Sequence, residues 1–339
     1  MTPPAAMTVC NLQVRLHSLP DGAVGIGNFE LSRAPMPVPG PGQVLTRTLY
    51  LSLDPYMRKR MQEARQGRAA LRPGDPMIGR TLGVVEAGAA GGFAAGDLVL
   101  GWAGWQSFAA QDAERLMRVT PLEPSSSPYL GALGRPGITA WLGMVHLGQV
   151  RQGETVLVSS AAGAVGSVAA QIARRFGARV IGIAGGAGKC AWLKGELGFD
   201  EAVDYTAFDF ERQLEQATPS GVDLCFESVG AAVLDAALSR MNPRGRIALC
   251  GLLGHYQSDA AHAFANFARL LDRGLALQGF RIDDFEAQHA QAAADLARWW
   301  HEGALRQHET MTEGLENAPA AFVGMLAGRG FGKHIARVS

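Results

Sequence analysis

The sequence has few of the residues that cross-link a small fold or hold a metal. Its four cysteines stand singly, outside C-x-x-C pairs and away from clustered histidines: Cys10, Cys190, Cys225 and Cys250. This scatter argues against a disulfide framework and against a structural zinc site. Because Cys225 and Cys250 lie in apolar runs, we expect them to behave as small buried hydrophobic residues.

A bias of charge is also absent, since 31 Lys and Arg residues balance 31 Asp and Glu residues. Without a basic excess, the sequence gives no electrostatic basis for binding nucleic acid or an anionic membrane. It also lacks an uninterrupted apolar run of about 18 residues, and its first residues lack the basic and apolar segments of a signal peptide. We therefore expect a soluble, cytoplasmic protein, and 339 residues suffice for two domains with full cores.

A glycine-rich turn follows the apolar run Val156–Val158. The turn, Ala161-Ala-Gly-Ala-Val-Gly166, leads into an alanine-rich segment with apolar residues at helical spacing. In a parallel sheet this arrangement directs the positive end of the helix at a phosphate, and Gly163 and Gly166 let a pyrophosphate approach closely. Alanine replaces the first glycine of the G-x-G-x-x-G pattern, so the motif alone also fits a tight turn without a ligand.

The next apolar strand, Arg179–Ile183, arrives at the spacing of a βαβ unit and ends in Ala184-Gly-Gly-Ala-Gly-Lys189. An NAD site usually carries an acid about 20 residues after the glycines, where it binds the ribose 2′-hydroxyl. Here small residues stand in that place, and Lys189 supplies a positive charge. The pattern predicts an NADP site with Lys189 on the 2′-phosphate. The alternative is a solvated lysine on a helix surface.

Strands and helices alternate through the middle of the chain. The expected elements are a helix within 131–144, a helix at 189–197, a strand at 201–204, a helix at 208–217, a strand at 222–226, a helix at 231–240 and a strand at 246–251. This order is typical of a doubly wound parallel sheet, in which ligands bind beyond the carboxyl ends of the strands.

Two tyrosines follow such strand ends. Tyr205 is expected near the adenosine end of the cofactor, with a capping tyrosine packed on the sheet edge as the alternative. Tyr256 follows the strand expected to end near the nicotinamide. A phenol there can donate to a carbonyl or enolate oxygen without a shifted pKa. The alternative for Tyr256 is a surface position on a mobile loop.

Residues 1–128 have a different pattern, in which short apolar runs lie beside Gly- and Pro-rich turns. The expected strands are near Leu12–Leu16, Gln43–Leu53, Thr81–Glu86 and Asp97–Trp102. They predict a β-rich, barrel-like domain.

The stretch Leu51–Arg58 in this domain joins a strand end, a proline-fixed turn, an aromatic hydroxyl and a cation. Either Tyr56 and Arg58 face a pocket, or Asp54 pairs with Arg58 while Tyr56 packs. Further substrate-pocket walls are expected on the loops 63–72 and 255–267.

Together these features resemble the medium-chain dehydrogenase/reductase superfamily, and within it the zinc-independent, NADPH-dependent alkenal/one reductases. The resemblance covers almost the whole chain. It is carried by Leu51–Arg58, Gly137–Trp141, Val158–Ser167, Lys189–Cys190, Asp204–Tyr205, Phe226–Gly230, Cys250–Gly251 with Tyr256, Gln278–Phe280 and Gly328–Lys333.

The resemblance implies an α/β fold with two domains. A GroES-like, β-barrel-type catalytic domain would span residues 1–128 and be completed by about 305–339. An NADP-binding Rossmann domain would occupy 129–304. Members of the superfamily often dimerise through the cofactor domain, so a homodimer with an edge strand near 246–251 as its seam is expected.

The resemblance also implies the site residues. Tyr256 and Tyr56 would be the catalytic residues, and no metal would be needed. The NADP(H) contacts would be Ala162, Gly163, Val165, Gly166, Lys189, Tyr205, Ser228, Cys250 and Gly330. The chain departs from the family pattern at three places: Ser228 and Gly330 each replace Asn, and Trp141 replaces Tyr.

The implied activity is NADPH-dependent reduction of the α,β double bond of an enone or enal. Hydride would reach the β-carbon, and Tyr256 or a ribose hydroxyl of the cofactor would donate to the enolate oxygen. A zinc-free quinone reductase, an alcohol dehydrogenase without its metal and a non-catalytic NADPH-binding protein remain as alternatives.

Overall fold

The computed structural model describes residues 10–62, 70–256 and 261–339. It divides into two compact units. One, the mixed-sheet unit, contains the described residues up to Leu130, with Met311–Ala327 and His334–Ser339. The other, the parallel-sheet unit, contains Gly131–Thr310 and Gly328–Lys333.

The mixed-sheet unit is rich in strands, as its sequence predicts. Numbered in chain order, they are β1 (Asn11–Leu16), β2 (Phe29–Ala34), β3 (Gln43–Ser52), β4 (Thr81–Ala87), β5 (Leu98–Gly101), β6 (Phe108–Asp112), β7 (Met117–Arg118), β14 (Glu309–Glu313) and β15 (Lys333–Arg337). The helices are α1 (Tyr56–Arg60) and α9 (Ala318–Leu326). The main sheet has the order β14-β15-β3-β4-β5-β7, with β6 on β3, while β1 and β2 pair separately. In the core, Phe29 stacks on Trp105, and Phe322 meets both rings edge-on.

The parallel-sheet unit is a doubly wound α/β domain. Its strands are β8 (Thr155–Val158), β9 (Arg179–Ala184), β10 (Glu201–Asp204), β11 (Val222–Glu227), β12 (Met241–Leu249) and β13 (Ala276–Gly279). Its helices are α2 (Arg135–Trp141), α3 (Gly166–Arg175), α4 (Ala187–Gly195), α5 (Phe210–Ala217), α6 (Ala231–Arg240), α7 (Arg269–Asp272) and α8 (His289–His301). The strand order is β10-β9-β8-β11-β12-β13. The winding reverses between β8 and β11, which is the point where such sheets bind ligands.

The centre of the sheet is buried because its strands carry apolar side chains on both faces. All four residues of β8 are buried. Helix α3 packs close to β8 and β9 because its buried residues are small, among them Ala169, Ala170 and Ala173. This packing fixes the start of α3 beside the carboxyl end of β8. Within the described ranges, no helix is both long and apolar enough to cross a membrane.

The structure corrects one expectation about the edge of this sheet. The strand predicted at 246–251 runs from Met241 to Leu249 and is not an edge, because Arg246 pairs with Ala276 of β13. The outer strand β13 has only four residues, all exposed, so the sequence gives no strong apolar signal for it. The proposed seam at 246–251 is therefore wrong.

The helices predicted to begin at residues 189 and 208 begin at Ala187 and Phe210.

Candidate active site

The predicted cofactor residues of the parallel-sheet unit lie along its carboxyl edge. Tyr205 follows β10, and Lys189 lies on the helix that follows β9. The glycine turn follows β8, at the centre of the sheet. Ser228 follows β11 and Cys250 follows β12. The sequence therefore brings a cation, a helix start and two small polar side chains to one edge, in the order in which a dinucleotide would cross it.

The turn between β8 and α3 is tight because two glycines allow close backbone contacts. A Cβ on Gly166 would lie 2.4 Å from the carbonyl oxygen of Ser160, and one on Gly163 would lie 3.1 Å from it. The Gly163 N–H donates to that same oxygen at 2.9 Å. Helix α3 begins at Gly166, where the first N–H groups have no partner within the helix. These N–H groups can donate hydrogen bonds to the oxygens of a pyrophosphate.

A second segment lies against this turn. We call Gly328–Lys333 the C-terminal strap. The Gly332 N–H donates to the Ala162 carbonyl oxygen at 2.7 Å, and Gly163 and Gly332 form a parallel bridge. The strap also contains Gly330, whose φ of 79° is a left-handed conformation that Asn also adopts. The sequence resemblance suggested a cofactor role for this segment but could not show which atoms it contacts.

Lys189 is half-buried and contacts the C-terminal strap. Its Nζ atom is 2.6 Å from the carbonyl oxygen of Gly328 in the strap and 5.9 Å from the centre of the Phe331 ring. Partial burial lowers the pKa of its ammonium group. The Tyr205 ring lies against Gly185, because a Cβ built there would be 3.2 Å from the phenol oxygen. Tyr205 is 48% exposed, so its hydroxyl is available to a ligand at this turn.

Ser228 is buried and oriented toward the end of β8. Its N–H donates to the Ser159 hydroxyl at 2.8 Å, and the two hydroxyl oxygens are 3.5 Å apart. Cys250 is half-buried. Burial raises the pKa of its thiol, and the nearby Glu227 carboxylate raises it further. The thiol is therefore neutral near pH 7, which suits a packing role beside a cofactor better than a nucleophilic one.

Glu227 is the last residue of β11, and its sequence context predicts no role for it. Its side chain is fully buried, and Oε1 accepts N–H bonds from Val229 at 2.6 Å and Gly230 at 2.7 Å. Burial raises the pKa of this carboxyl, while the bonds from Gly230 and Val229 oppose the shift. The available signal was an acid directly after the apolar residues Leu224–Phe226, at the end of the strand.

Tyr256 lies at the end of a short helical turn, Leu253–His255, that follows β12. Burial raises the pKa of the half-buried phenol, and a hydrogen bond from the backbone of Leu252 partly opposes this. The phenol therefore stays protonated near neutral pH and is able to donate. The loops 63–72 and 255–267, which are predicted to form walls of the substrate pocket, include residues 63–69 and 257–260. These residues lie outside the described residues.

Tyr56 belongs to the mixed-sheet unit, where it begins α1. Its ring meets Trp102 edge-on, with the ring centres 6.4 Å apart. Trp102 is 48% exposed and has the Arg80 guanidinium 5.3 Å above its ring. Arg58 is buried and donates to the Gly22 carbonyl oxygen at 2.8 Å, so it supports α1. The sequence did not indicate Trp102, because this contact joins residues far apart in the chain.

The chemistry of the donor set fits NADPH. The start of α3, Lys189 and the exposed phenol of Tyr205 can donate hydrogen bonds to phosphate groups, and all three follow the strands β8 to β10. The phenol of Tyr256 lies beyond β12, and burial raises its pKa. In the part of the chain that the structure describes, no group of three or more His, Cys, Asp or Glu residues could hold a metal ion.

Comparison with known proteins agrees with this arrangement. Residues 12–119 match the family described as the N-terminal domain of oxidoreductase, and residues 164–298 match the zinc-binding dehydrogenase family. The NADPH-dependent curcumin reductase of Escherichia coli strain K12 is 39% identical over 330 residues, which cover 96% of each chain. The NADP(+)-dependent 2-alkenal reductase of Nicotiana tabacum is 34% identical over 98% of this chain and 99% of its own.

Among solved structures, CurA from Vibrio vulnificus in complex with NADPH has a TM-score of 0.92 and 40% sequence identity, covering 97% of this chain and 99% of that one. Similarity of this extent shows the family as well as the fold. The chain belongs to the NADPH-dependent reductases of the medium-chain dehydrogenase/reductase superfamily, with the curcumin and 2-alkenal reductases.

Proposed function

We propose that the protein catalyses NADPH-dependent reduction of the α,β double bond of enones and enals. The observation that carries this proposal is the position of the Tyr256 phenol in the loop after β12, on the same sheet edge as the glycine turn that follows β8. The names of the curcumin and 2-alkenal reductases support the substrate class.

NADPH would be held along the edge of the parallel sheet. The turn containing Ala162, Gly163, Val165 and Gly166 would hold the pyrophosphate through backbone N–H groups. Lys189 and Tyr205 would bind the 2′-phosphate. Toward the nicotinamide, the contacts would come from Ser228, Cys250 and Gly330.

When bound, NADPH supplies the hydride for this chemistry. Attack at the β-carbon moves negative charge onto the carbonyl oxygen of the substrate. Tyr256 donates a hydrogen bond to that oxygen and so stabilises the developing enolate. The α-carbon then takes a proton from solvent or through the same phenol. Tyr56, whose ring packs edge-on against Trp102, would be the second catalytic residue.

The experiment that tests this function compares three electrophiles: a medium-chain 2-alkenal, an aryl enone and a benzoquinone. NADPH consumption is followed with each, NADH is the control cofactor, and products are identified by mass spectrometry. We expect a gain of two hydrogens at the alkene and much slower turnover with NADH. Turnover of the quinone alone would indicate a quinone reductase. No turnover despite NADPH binding would indicate a non-catalytic binding protein.

We also propose that the protein forms a homodimer in the cytoplasm. The exposed outer strand β13 supports this, because an unpaired parallel-sheet edge can pair with the same strand of a second copy. The free cysteines suit a reducing compartment. Sedimentation at two concentrations tests the dimer, and a single monomeric species at both would contradict it.

A further inference from the structure

A chain of hydrogen bonds connects the buried carboxylate of Glu227 to the loop that carries Tyr256. Glu227 Oε1 accepts the N–H groups of Val229 and Gly230, which folds the three residues after β11 into a compact turn. Glu227 itself has no exposed surface. Since an unpaired buried N–H is costly, the conformation of this turn depends on an acceptor at position 227.

The carbonyl groups of the same turn hold the next loop. The Ser228 oxygen accepts the Leu253 N–H at 2.9 Å, and the Val229 oxygen accepts the Gly254 N–H at 2.9 Å. The Tyr256 N–H then donates to the Leu253 oxygen at 3.2 Å, which closes the helical turn in front of the phenol.

Side-chain packing follows the same path. A Cβ on Gly230 would lie 2.7 Å from the Leu252 side chain and 3.2 Å from the ring of His255. A Cβ on Gly254 would lie 3.1 Å from the Val229 carbonyl oxygen. The turn after β11 and the loop after β12 therefore touch without room for an added methyl group, so a displacement of one would displace the other.

We propose that Glu227 is a positioning residue, which acts through the turn 228–230 to hold Tyr256 in place for catalysis. The inference rests on the proposed role of Tyr256. The group that matters is the acceptor oxygen and not the negative charge, because both donors are neutral backbone N–H groups. An amide oxygen at the same place can accept both bonds.

Two variants of nearly equal volume separate the acceptor from the charge. Glu227→Gln keeps the oxygen and removes the charge, whereas Glu227→Met fills the space without an acceptor. We expect Glu227→Met to lower kcat about tenfold or more, comparable to misplacing one donor, and Glu227→Gln to stay within about threefold of wild type. Binding of 2′,5′-ADP, which probes the adenosine end, is expected to be unchanged in both.

Hydrogen exchange gives a readout that does not depend on activity. The amides of Leu253 and Gly254 are expected to exchange faster in Glu227→Met and at the wild-type rate in Glu227→Gln. Unchanged exchange in Glu227→Met would overturn the proposal. If that variant does not fold, Glu227→Gln decides alone: wild-type kcat and exchange support the acceptor role, and a tenfold loss contradicts it.

A double variant distinguishes this proposal from the role of Tyr256 itself. If Glu227 acts through Tyr256, Glu227→Met combined with Tyr256→Phe loses no more activity than Tyr256→Phe alone. Additive losses would overturn the coupling. If Tyr256→Phe alone leaves kcat unchanged, the proposed function of Tyr256 fails, and the exchange measurement still decides whether Glu227 holds the loop.

Discussion

At the scale of single residues, Tyr256 carries the proposed proton-donor chemistry. Replacing it with Phe keeps the ring and removes the hydroxyl, so we expect kcat to fall by about 10- to 100-fold, at or below the roughly 100- to 1000-fold cost of losing a preorganised oxyanion-hole donor. Because burial raises the phenol pKa above its ordinary value of about 10, the Tyr256 contribution should not vary with pH between about 6 and 9. Steady-state kinetics across that range measure both effects, and wild-type kinetics in the variant would remove Tyr256 from the mechanism.

Lys189 decides cofactor choice in the proposed site. Lys189→Met keeps the length of the side chain and removes the charge, so we expect the KM for NADPH to rise about 10- to 100-fold, as for loss of a charged hydrogen bond, with the KM for NADH unchanged. Lys194→Met is the matched control, since Lys194 lies on the same helix but pairs with Glu201 at 2.9 Å. An equal effect of Lys189→Met on both cofactors would mean that Lys189 does not bind the 2′-phosphate.

These residues also show what the sequence could predict. Lys189 lies close in sequence to the glycine turn and the strand that precedes it, so local spacing was enough to predict it as a cofactor residue. Its contact with Gly328, 139 residues further along the chain, was not predictable, because it depends on how the strap folds. Glu227 was missed for a related reason: its function lies in backbone contacts with a second loop, and no sequence motif encodes them.

At the scale of elements, the C-terminal strap determines how the glycine turn is covered. Gly332 has a φ of 64°, and a Cβ there would lie 2.0 Å from the His308 carbonyl oxygen, which is backbone and cannot easily move. We expect Gly332→Ala to destabilise the protein by about 1–3 kcal/mol and to weaken NADPH binding about tenfold, because the bond to Ala162 is strained. Thermal unfolding and fluorescence titration measure these effects.

Gly328→Ala is the matched control for this prediction. Gly328 also has a positive φ, 73°, but a Cβ there would meet nothing within 4 Å. Its substitution should therefore cost only the backbone strain of about 1–2 kcal/mol and leave NADPH affinity within about threefold of wild type. Equal losses of affinity in the two variants would show that backbone strain, and not the contact of Gly332 with the turn, governs the strap.

Some elements of the parallel-sheet unit are predicted by the sequence and others are not. The βαβ order and the helix Ala231–Arg240 follow from apolar periodicity and are confirmed. Strand β13 did not appear in the prediction, because four exposed residues give no periodic signal. Its position depends on backbone pairing with β12, and that pairing also moves the sheet edge away from 246–251.

For the whole molecule, the family resemblance predicted the cofactor and the reaction class, which apolar periodicity alone does not indicate. The nicotinamide cofactor and the reductase class are confirmed by relatives that match almost the full chain. The fold class is confirmed by the six-stranded parallel sheet and the separate mixed sheet. The catalytic and cofactor-binding roles of individual residues stay predictions, since they depend on where a substrate and NADPH bind.

The last prediction concerns the stability of the folded chain with cofactor and with a metal chelator. NADPH at a concentration of 100 times its Kd should stabilise the parallel-sheet unit by about 2.7 kcal/mol, which corresponds to a rise in Tm of about 5–10 °C for a unit of this size. EDTA should change neither Tm nor activity, since the described residues contain no cluster of metal ligands to strip. Differential scanning calorimetry measures both. A fall in Tm with EDTA that added zinc reverses would contradict the metal-free mechanism, and the absence of any shift with NADPH would contradict the cofactor site.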